Sequence, residues 1–456
     1  MMVSRLLNDL RQVRWLDWTS PAHAPGSFVR MGGLPNHSKA EAGAMLRFTT
    51  AGESHGKALV ATVEGLPAGL PVTAEWVDRE LARRMQGYGR GARMKIERDR
   101  IEWLSGVRAG ETLGSPVAML IPNRDWTNWE DVMAYEAAET PGELRRRRVT
   151  RPRPGHADLA GVLKYDRLDA RDILERASAR ETTARVAAGA LAKRLLHEFG
   201  VEVGSHVVSL GGIQVARGEL PVPLNEAADR SEIRVLDRAA EADIIRRIDA
   251  AKQAGDTLGG EVEVLARGVV VGLGSHVSWD RKLDGRLAGM LMSIPAVKAV
   301  EIGMGFEAAR RPGSEVHDPI EAGKEGKDGK DGKEKADPRG GFSRPSNNAG
   351  GLEGGITTGE PVVVTVGMKP ISTLMSPLPT VDLASGQPAK AVSERSDVTA
   401  VPAMGVIAEA VVALVLADAM LEKFGSDSLA EMRRNYDGYV AALGARWIES
   451  RGKDPR

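Results

Sequence analysis

The sequence predicts an α+β fold, and three observations carry that reading. Strand-like runs alternate with amphipathic helices along the chain, two long Ala-rich helices occur far apart, and the composition is that of a chain with a large core. The 456 residues are 42% hydrophobic and 27% charged, which is ordinary for a globular protein and excludes a disordered one. Sixty-two basic residues balance sixty-two acidic ones, so no global charge draws the chain to nucleic acid or membrane, and any anion binding must be local. The absence of cysteine excludes a disulfide framework, a thiolate nucleophile and cysteine-based metal sites, and fits a reducing cytoplasm.

Residues 1–44 mix Arg, Trp, Pro, Gly and His without periodicity and read as a tail or the product of a misplaced start codon. A transit peptide would fit their Arg and Ser content but needs an amphipathic helix that is missing, and no signal-like apolar stretch precedes Leu46. A single domain is expected over 45–429. Alternation starts at Leu46, and small and β-branched residues from Ala58 to Val63 predict a strand closed by the Gly65–Gly69 turn. Thr73 caps a helix through Met85, with Trp76, Val77, Leu81 and Met85 at helical spacing. Further strands are expected at Val117–Ile121, Val201–Leu210, Val262–Val271, Val297–Ile302 and Pro361–Val366.

The apolar stretch Val401–Leu421 contains Glu409 and Asp418, which are costly in a bilayer, so it reads as a buried helix. Its ending, Met420-Leu421-Glu422-Lys423-Phe424-Gly425, resembles Leu195-Leu196-His197-Glu198-Phe199-Gly200. An internal pseudo-duplication and chance similarity between two amphipathic helices account for this equally well. Residues 321–339 are almost wholly Gly, Lys, Asp and Glu and predict a solvated, disordered loop, and 430–456 a helical or flexible C-terminal tail.

Gly87–Ala92 and Gly303–Ala308 match a loose dinucleotide fingerprint but lack its strand–turn–helix setting, so both read as turns. Walker spacing and His-Glu-x-x-His are absent, which argues against an NTPase and a zinc hydrolase. Two arginine clusters stand out: Arg90, Arg93 and Lys95 on a Gly-rich loop, and Arg145 to Arg148 with Arg151 and Arg153. Arginine forks bind phosphate and carboxylate, so in a neutral protein they point to a small polyanion, with a solvated face or an RNA contact as the alternative. His55, in Gly52-Glu53-Ser54-His55-Gly56, and His156, after Pro154-Gly155, sit in constrained turns and suit proton transfer near neutral pH. His23, His37, His197, His206, His276 and His317 have no comparable setting.

Three segments in order then carry a family resemblance. Arg47-Phe48-Thr49-Thr50-Ala51-Gly52-Glu53-Ser54-His55-Gly56 resembles the first signature of the chorismate synthase family. Arg153-Pro154-Gly155-His156-Ala157-Asp158 with Ser178-Ala179-Arg180-Glu181-Thr182-Thr183 resembles the second, and Glu394-Arg395-Ser396-Asp397 the third. The resemblance runs from Met45 to about Leu429, and Arg90–Glu97 looks like the bacterial branch.

The resemblance implies a homotetramer whose β–α–β sandwich layers enclose a helical core. It also implies a lyase that makes chorismate by 1,4-anti elimination of phosphate from 5-enolpyruvylshikimate 3-phosphate, the last step of the shikimate pathway. Reduced FMN is implied as cofactor, lending electron density without net redox change. NADPH enters only indirectly, and an external flavin reductase is expected because no added reductase domain is visible. By the same resemblance His55 protonates the departing phosphate, His156 the reduced flavin, and Asp397 helps take the proton, with Ser54 and Ser178 as relay hydroxyls. Arg84, Arg90, Arg93, Arg153 and Arg180 match substrate-binding positions. Arg176, Ala177, Ser178, Pro295, Ala296, Gly354, Lys369, Pro370, Ile371, Ser372, Thr373 and Arg395 match flavin positions. Ala177 and Pro295 depart from the family's usual Ser and Asn, each losing a side-chain hydrogen-bonding group. An RNA- or polyanion-binding protein with structural histidines is the alternative reading, as is an ordinary flavin oxidoreductase, and 4% aromatic content argues against the first.

Overall fold

The computed structural model describes residues 45–91, 99–136, 147–322, 337–393 and 396–451. Its first sheet is antiparallel and is built from β1 (Arg47–Ala51), β2 (Ala58–Glu64), β3 (Glu102–Ser105) and β4 (Val117–Pro122), in the order β1-β2-β4-β3. Alternation decides which face of β2 is covered: Leu59, Ala61 and Val63 point into the core and their neighbours do not. Helix α1 (Ala74–Met85) starts where the sequence places it, because the Thr73 hydroxyl accepts from the Trp76 amide.

The second sheet is also antiparallel. It comprises β5 (Glu202–Leu210), β6 (Ile213–Gln214), β7 (Gly260–Arg267), β8 (Val297–Ile302) and β9 (Val362–Met368), ordered β8-β9-β7-β5-β6. The predicted strand to Val271 is too long: it stops at Arg267 because Gly268, at φ +76°, turns the chain away.

Four helices follow the first sheet's last strand and matter for the site: α2 (Asp158–Lys164), α3 (Arg171–Ala177), α4 (Thr182–Glu198) and α5 (Val401–Phe424). Helix α4 packs on β1 and β2, α5 packs on β5 and β7, and the two helices pack on each other. Close approach of α4 to α5 requires glycine at 189, where a Cβ would stand 2.4 Å from the Ala410 Cβ. The two similarly worded helix ends thus belong to contacting partners.

Every residue of α5 is buried except Glu422 and Lys423, as expected of a helix apolar on all sides. Its length and composition would also cross a membrane, but its apolar window is wholly inside the protein. Fully buried side chains such as Val411, Leu416 and Leu421 each contribute about 1.5–3 kcal/mol. Glu409 is the exception in character. Its carboxylate receives Arg83 on both oxygens (2.8 and 3.0 Å), Arg234 (2.9 Å), Ser205 (2.6 Å) and the Lys193 ammonium. Burial alone would raise its pKa, but these cations hold it well below the carboxylate range. Burial, reinforced by the Arg83 charge, pushes the Arg234 guanidinium down to about 10 despite Glu409, so it stays charged at neutral pH. Lower on the helix, Asp418 accepts from the Met45 and Leu46 amides (2.7 and 2.8 Å) and fixes the chain entering β1. The last helix, Leu429–Arg451, joins the same core through Met432 and Val440.

Candidate active site

The Gly52–Gly56 turn leaves β1 with Gly52 at φ +104°, where a Cβ would meet the Ala58 carbonyl at 2.4 Å. The end of α3 grips this turn. The Ser54 amide donates to the Glu175 carbonyl (3.0 Å) and the His55 amide to the Glu175 carboxylate (2.8 Å). Arg176 donates to the Thr50 carbonyl and hydroxyl, both at 2.7 Å. The His55 Nδ1 lies 3.0 Å from both Glu175 oxygens, and Arg171 donates to one of them at 2.9 Å. Burial would raise the Glu175 pKa, yet the His55 and Arg171 bonds keep it below its ordinary value. An ionised acceptor needs a donor, so Nδ1 carries the hydrogen and Nε2 is left to exchange a proton. Trp129 stacks on the imidazole at 3.7 Å. Ser178 donates to Ser54 at 3.1 Å, so both predicted relay hydroxyls meet here, with Ala177 adjoining.

His156 is mounted the same way. Its Nδ1 is 2.6 Å from Asp158, which is fully buried at the start of α2 and also receives the Arg153 backbone amide, Nε and Nη2. Arg153 Nη2 also lies 3.2 Å from the His156 Nδ1, but both are hydrogen-bearing, and the shorter bond to the carboxylate prevails. Burial opposes ionisation of Asp158, and His156 and Arg153 overcome it, holding the carboxyl far below its usual range. Arg153 reaches Thr373 at 2.8 Å, and the Lys369 ammonium donates to the Gly155 carbonyl. The Lys369 amide bonds Ala296, a non-glycine residue at φ +69°, and Thr257 bonds the Ile371 carbonyl. Pro295, Ala296 and Lys369–Thr373 therefore lie in one neighbourhood with His156.

Asp397 makes a third group. It pairs with Arg90 at 2.9 Å and accepts from the Gly91 amide at 2.6 Å. Asp397 does not cap α5, which begins at Val401 after Ala400 and whose Val401 amide donates to Thr399. Asp397 sits too far ahead of the first turn to cap it.

The three groups are linked in a circuit. Arg84 bonds Ala179 and Thr182 beside Ser178, and Arg180 pairs with Asp99 at 2.6 Å. Arg84 ends the helix that leads to Gly89, which accepts from Val398 next to Asp397; Val398 accepts from Leu258, and Thr257 meets Ile371. Ala170 donates to Val149 and closes the circuit between the Arg153 segment and α3. Gly354 lies apart, in the Leu352–Thr357 hairpin at φ +61°. Arg93 and Arg395 fall outside the described residues. His206, expected to have no particular setting, is buried and 3.3 Å from Glu263 across β5 and β7. Glu175, Arg171, Trp129 and the role of Asp158 were missed by sequence reasoning. The Arg171–Glu175 spacing of four reads as a surface helix pair, and nothing local joins it to His55.

A family model described as chorismate synthase matches residues 46–421. The chain belongs to the chorismate synthase family. The chorismate synthase of Geobacter sulfurreducens is 56% identical over 397 residues, covering 87% of this chain and 98% of that protein. The Streptomyces coelicolor chorismate synthase is 55% identical over 406 residues, 88% and 99% of the two chains. A crystal structure of chorismate synthase matches with a TM-score of 0.68 at 44% identity, covering 88% of this chain and 98% of that one. The chain therefore carries the lyase activity of chorismate synthases, on a mixed α+β fold. The polyanion-binding alternative finds no support in these matches. Among the described residues no His, Asp or Glu cluster suits a metal ion.

Proposed function

We propose that the bonded circuit encloses the site where 5-enolpyruvylshikimate 3-phosphate loses phosphate by 1,4-anti elimination. The observation that carries this reading is the pair of histidines, each fixed through Nδ1 to a buried carboxylate that an arginine also holds. His55 holds a proton at Nε2 for the departing phosphate oxygen, while Arg84, Arg90, Arg93, Arg153 and Arg180 supply the positive field that favours phosphate departure. Asp397 is the proton acceptor, kept ready by Arg90 and the Gly91 amide. Ser54 and Ser178 relay protons beside His55.

The donor set fits FMN. Pro295, Ala296, Pro370 and Ile371 offer apolar surface for a flat ring, and Arg176, Lys369, Ser372, Thr373 and Arg395 offer donors for its phosphate and hydroxyls, with Ala177, Ser178 and Gly354 adding backbone contacts. When bound, reduced FMN supplies transient electron density to the elimination. His156 holds a proton at Nε2 beside that segment. The enzyme is a homotetramer of the sandwich type, works in the cytoplasm and draws reduced flavin from an external reductase. Residues 1–44 and the 321–339 loop stand outside its catalytic machinery.

Anaerobic addition of pre-reduced FMN and substrate tests the reading. Chorismate and phosphate should appear in equal amounts while the reduced flavin persists. Stoichiometric flavin oxidation would indicate an ordinary oxidoreductase instead.

A further inference from the structure

We propose that Glu175 and Trp129 are positioning residues that make His55 the proton donor, the carboxylate fixing its tautomer and the indole fixing its plane. The inference rests on the assignment of His55 to the departing phosphate. Three restraints act on one ring. Glu175 takes the Nδ1 hydrogen at 3.0 Å and holds the backbone of the same residue at 2.8 Å, so ring and main chain share one anchor. Trp129 covers a ring face at 3.7 Å, with planes 27° apart, and its indole Nε1 is tied to Asp125 at 2.9 Å. Arg147 and Arg171 lie over the indole at 4.4 and 5.2 Å, stiffening the platform. An imidazole held at Nδ1 and over one face has Nε2 as its remaining proton site.

In the elimination the C–O bonding pair leaves with the phosphate oxygen and the Nε2 proton moves to it. The ring stays bonded through Nδ1–H to Glu175 throughout.

Glu175→Gln retains an acceptor for Nδ1–H, whereas Glu175→Ala removes it. Two readouts on the full-length protein separate the possibilities: kcat against KM, and the rate of diethyl pyrocarbonate labelling at His55, read by peptide mass spectrometry without flavin or substrate. In Glu175→Ala His55 should label several-fold faster and kcat fall about tenfold, with KM changed less than about twofold and partial rescue of both readouts in Glu175→Gln. Unchanged His55 labelling in Glu175→Ala overturns the proposal whatever His55 does in the reaction. Faster labelling with an unmoved kcat overturns the assignment of His55 as donor, and the catalytic meaning of the pairing with it. If neither Glu175 variant folds, Trp129→Ala serves: His55 should label several-fold faster and kcat fall about tenfold, with partial rescue in Trp129→Phe. Equal labelling and turnover in all three proteins would overturn the role of the indole.

Discussion

His55 reaches Glu175 across 120 residues of chain, whereas His156 reaches Asp158 across 2. In both places Nδ1 meets a carboxylate that an arginine also holds, Arg171 in one and Arg153 in the other. The difference lies in what each carboxylate supports. Glu175 joins two distant segments, so it fixes where the first turn sits on α3. Asp158 holds one short segment in shape by taking both a side chain and a main-chain amide of Arg153. One histidine–carboxylate pair is thus built from tertiary packing and the other from local chain folding, and the two should respond differently when disturbed.

Removing either histidine should have the largest effect on activity. His55→Ala and His156→Ala are each expected to slow turnover by about 10²–10⁴ with the fold retained, measured in a single turnover with pre-reduced FMN. A silent His156→Ala would break the equivalence of the two mountings. Asp397→Asn should slow turnover on the same scale, since the amide can accept from Gly91 but cannot act as a base; near-normal turnover would leave it only a structural partner of Arg90.

Stability should separate the two carboxylates. Asp158→Ala removes three bonds from the buried Arg153, leaving it Thr373, and is expected to cost about 3–5 kcal/mol in denaturant unfolding, more than Glu175→Ala, which takes one bond from Arg171. Both carboxyls are depressed in the folded state, so their stabilisation is present above the ordinary carboxylate pKa and lost as pH falls through the folded values. Wild-type stability should therefore decline below about pH 4, and Asp158→Asn should flatten that decline. Equal acid sensitivity in both proteins would show that other groups govern it. The smallest of these effects is expected for Arg90→Ala, a roughly ten- to hundredfold weaker substrate affinity with FMN affinity spared, followed by titration.

The same contrast explains what could be read beforehand. Ser54, His55, Arg153, His156 and Ser178 lie in contiguous motifs, and turn chemistry marked the first two pairs of them. The strands and the Thr73 cap were legible because alternation and capping act within a few residues. Glu175 and Trp129 were not, because each acquires its meaning only when α3 and the Trp126–Trp129 turn meet the Gly52–Gly56 turn. Arg90 and Asp397 show the same limit: 306 residues separate Asp397 from Gly91, and nothing local joins the two segments.

Glu409 has a consequence for the placement of Asp397. A helix apolar on every side can rotate about its axis or slide by a turn and still bury greasy surface, so packing alone leaves its setting loosely specified. A single carboxylate that must meet Arg83, Lys193, Arg234 and Ser205 at once admits one rotation and one height. Any slip would take this carboxylate from three buried cations, leaving Arg83 and Lys193 with Glu80 and Arg234 with Asp229. The charged cluster deep in the core thereby acts as an indexing pin, and the segment it indexes is the one that carries Asp397 into the helix.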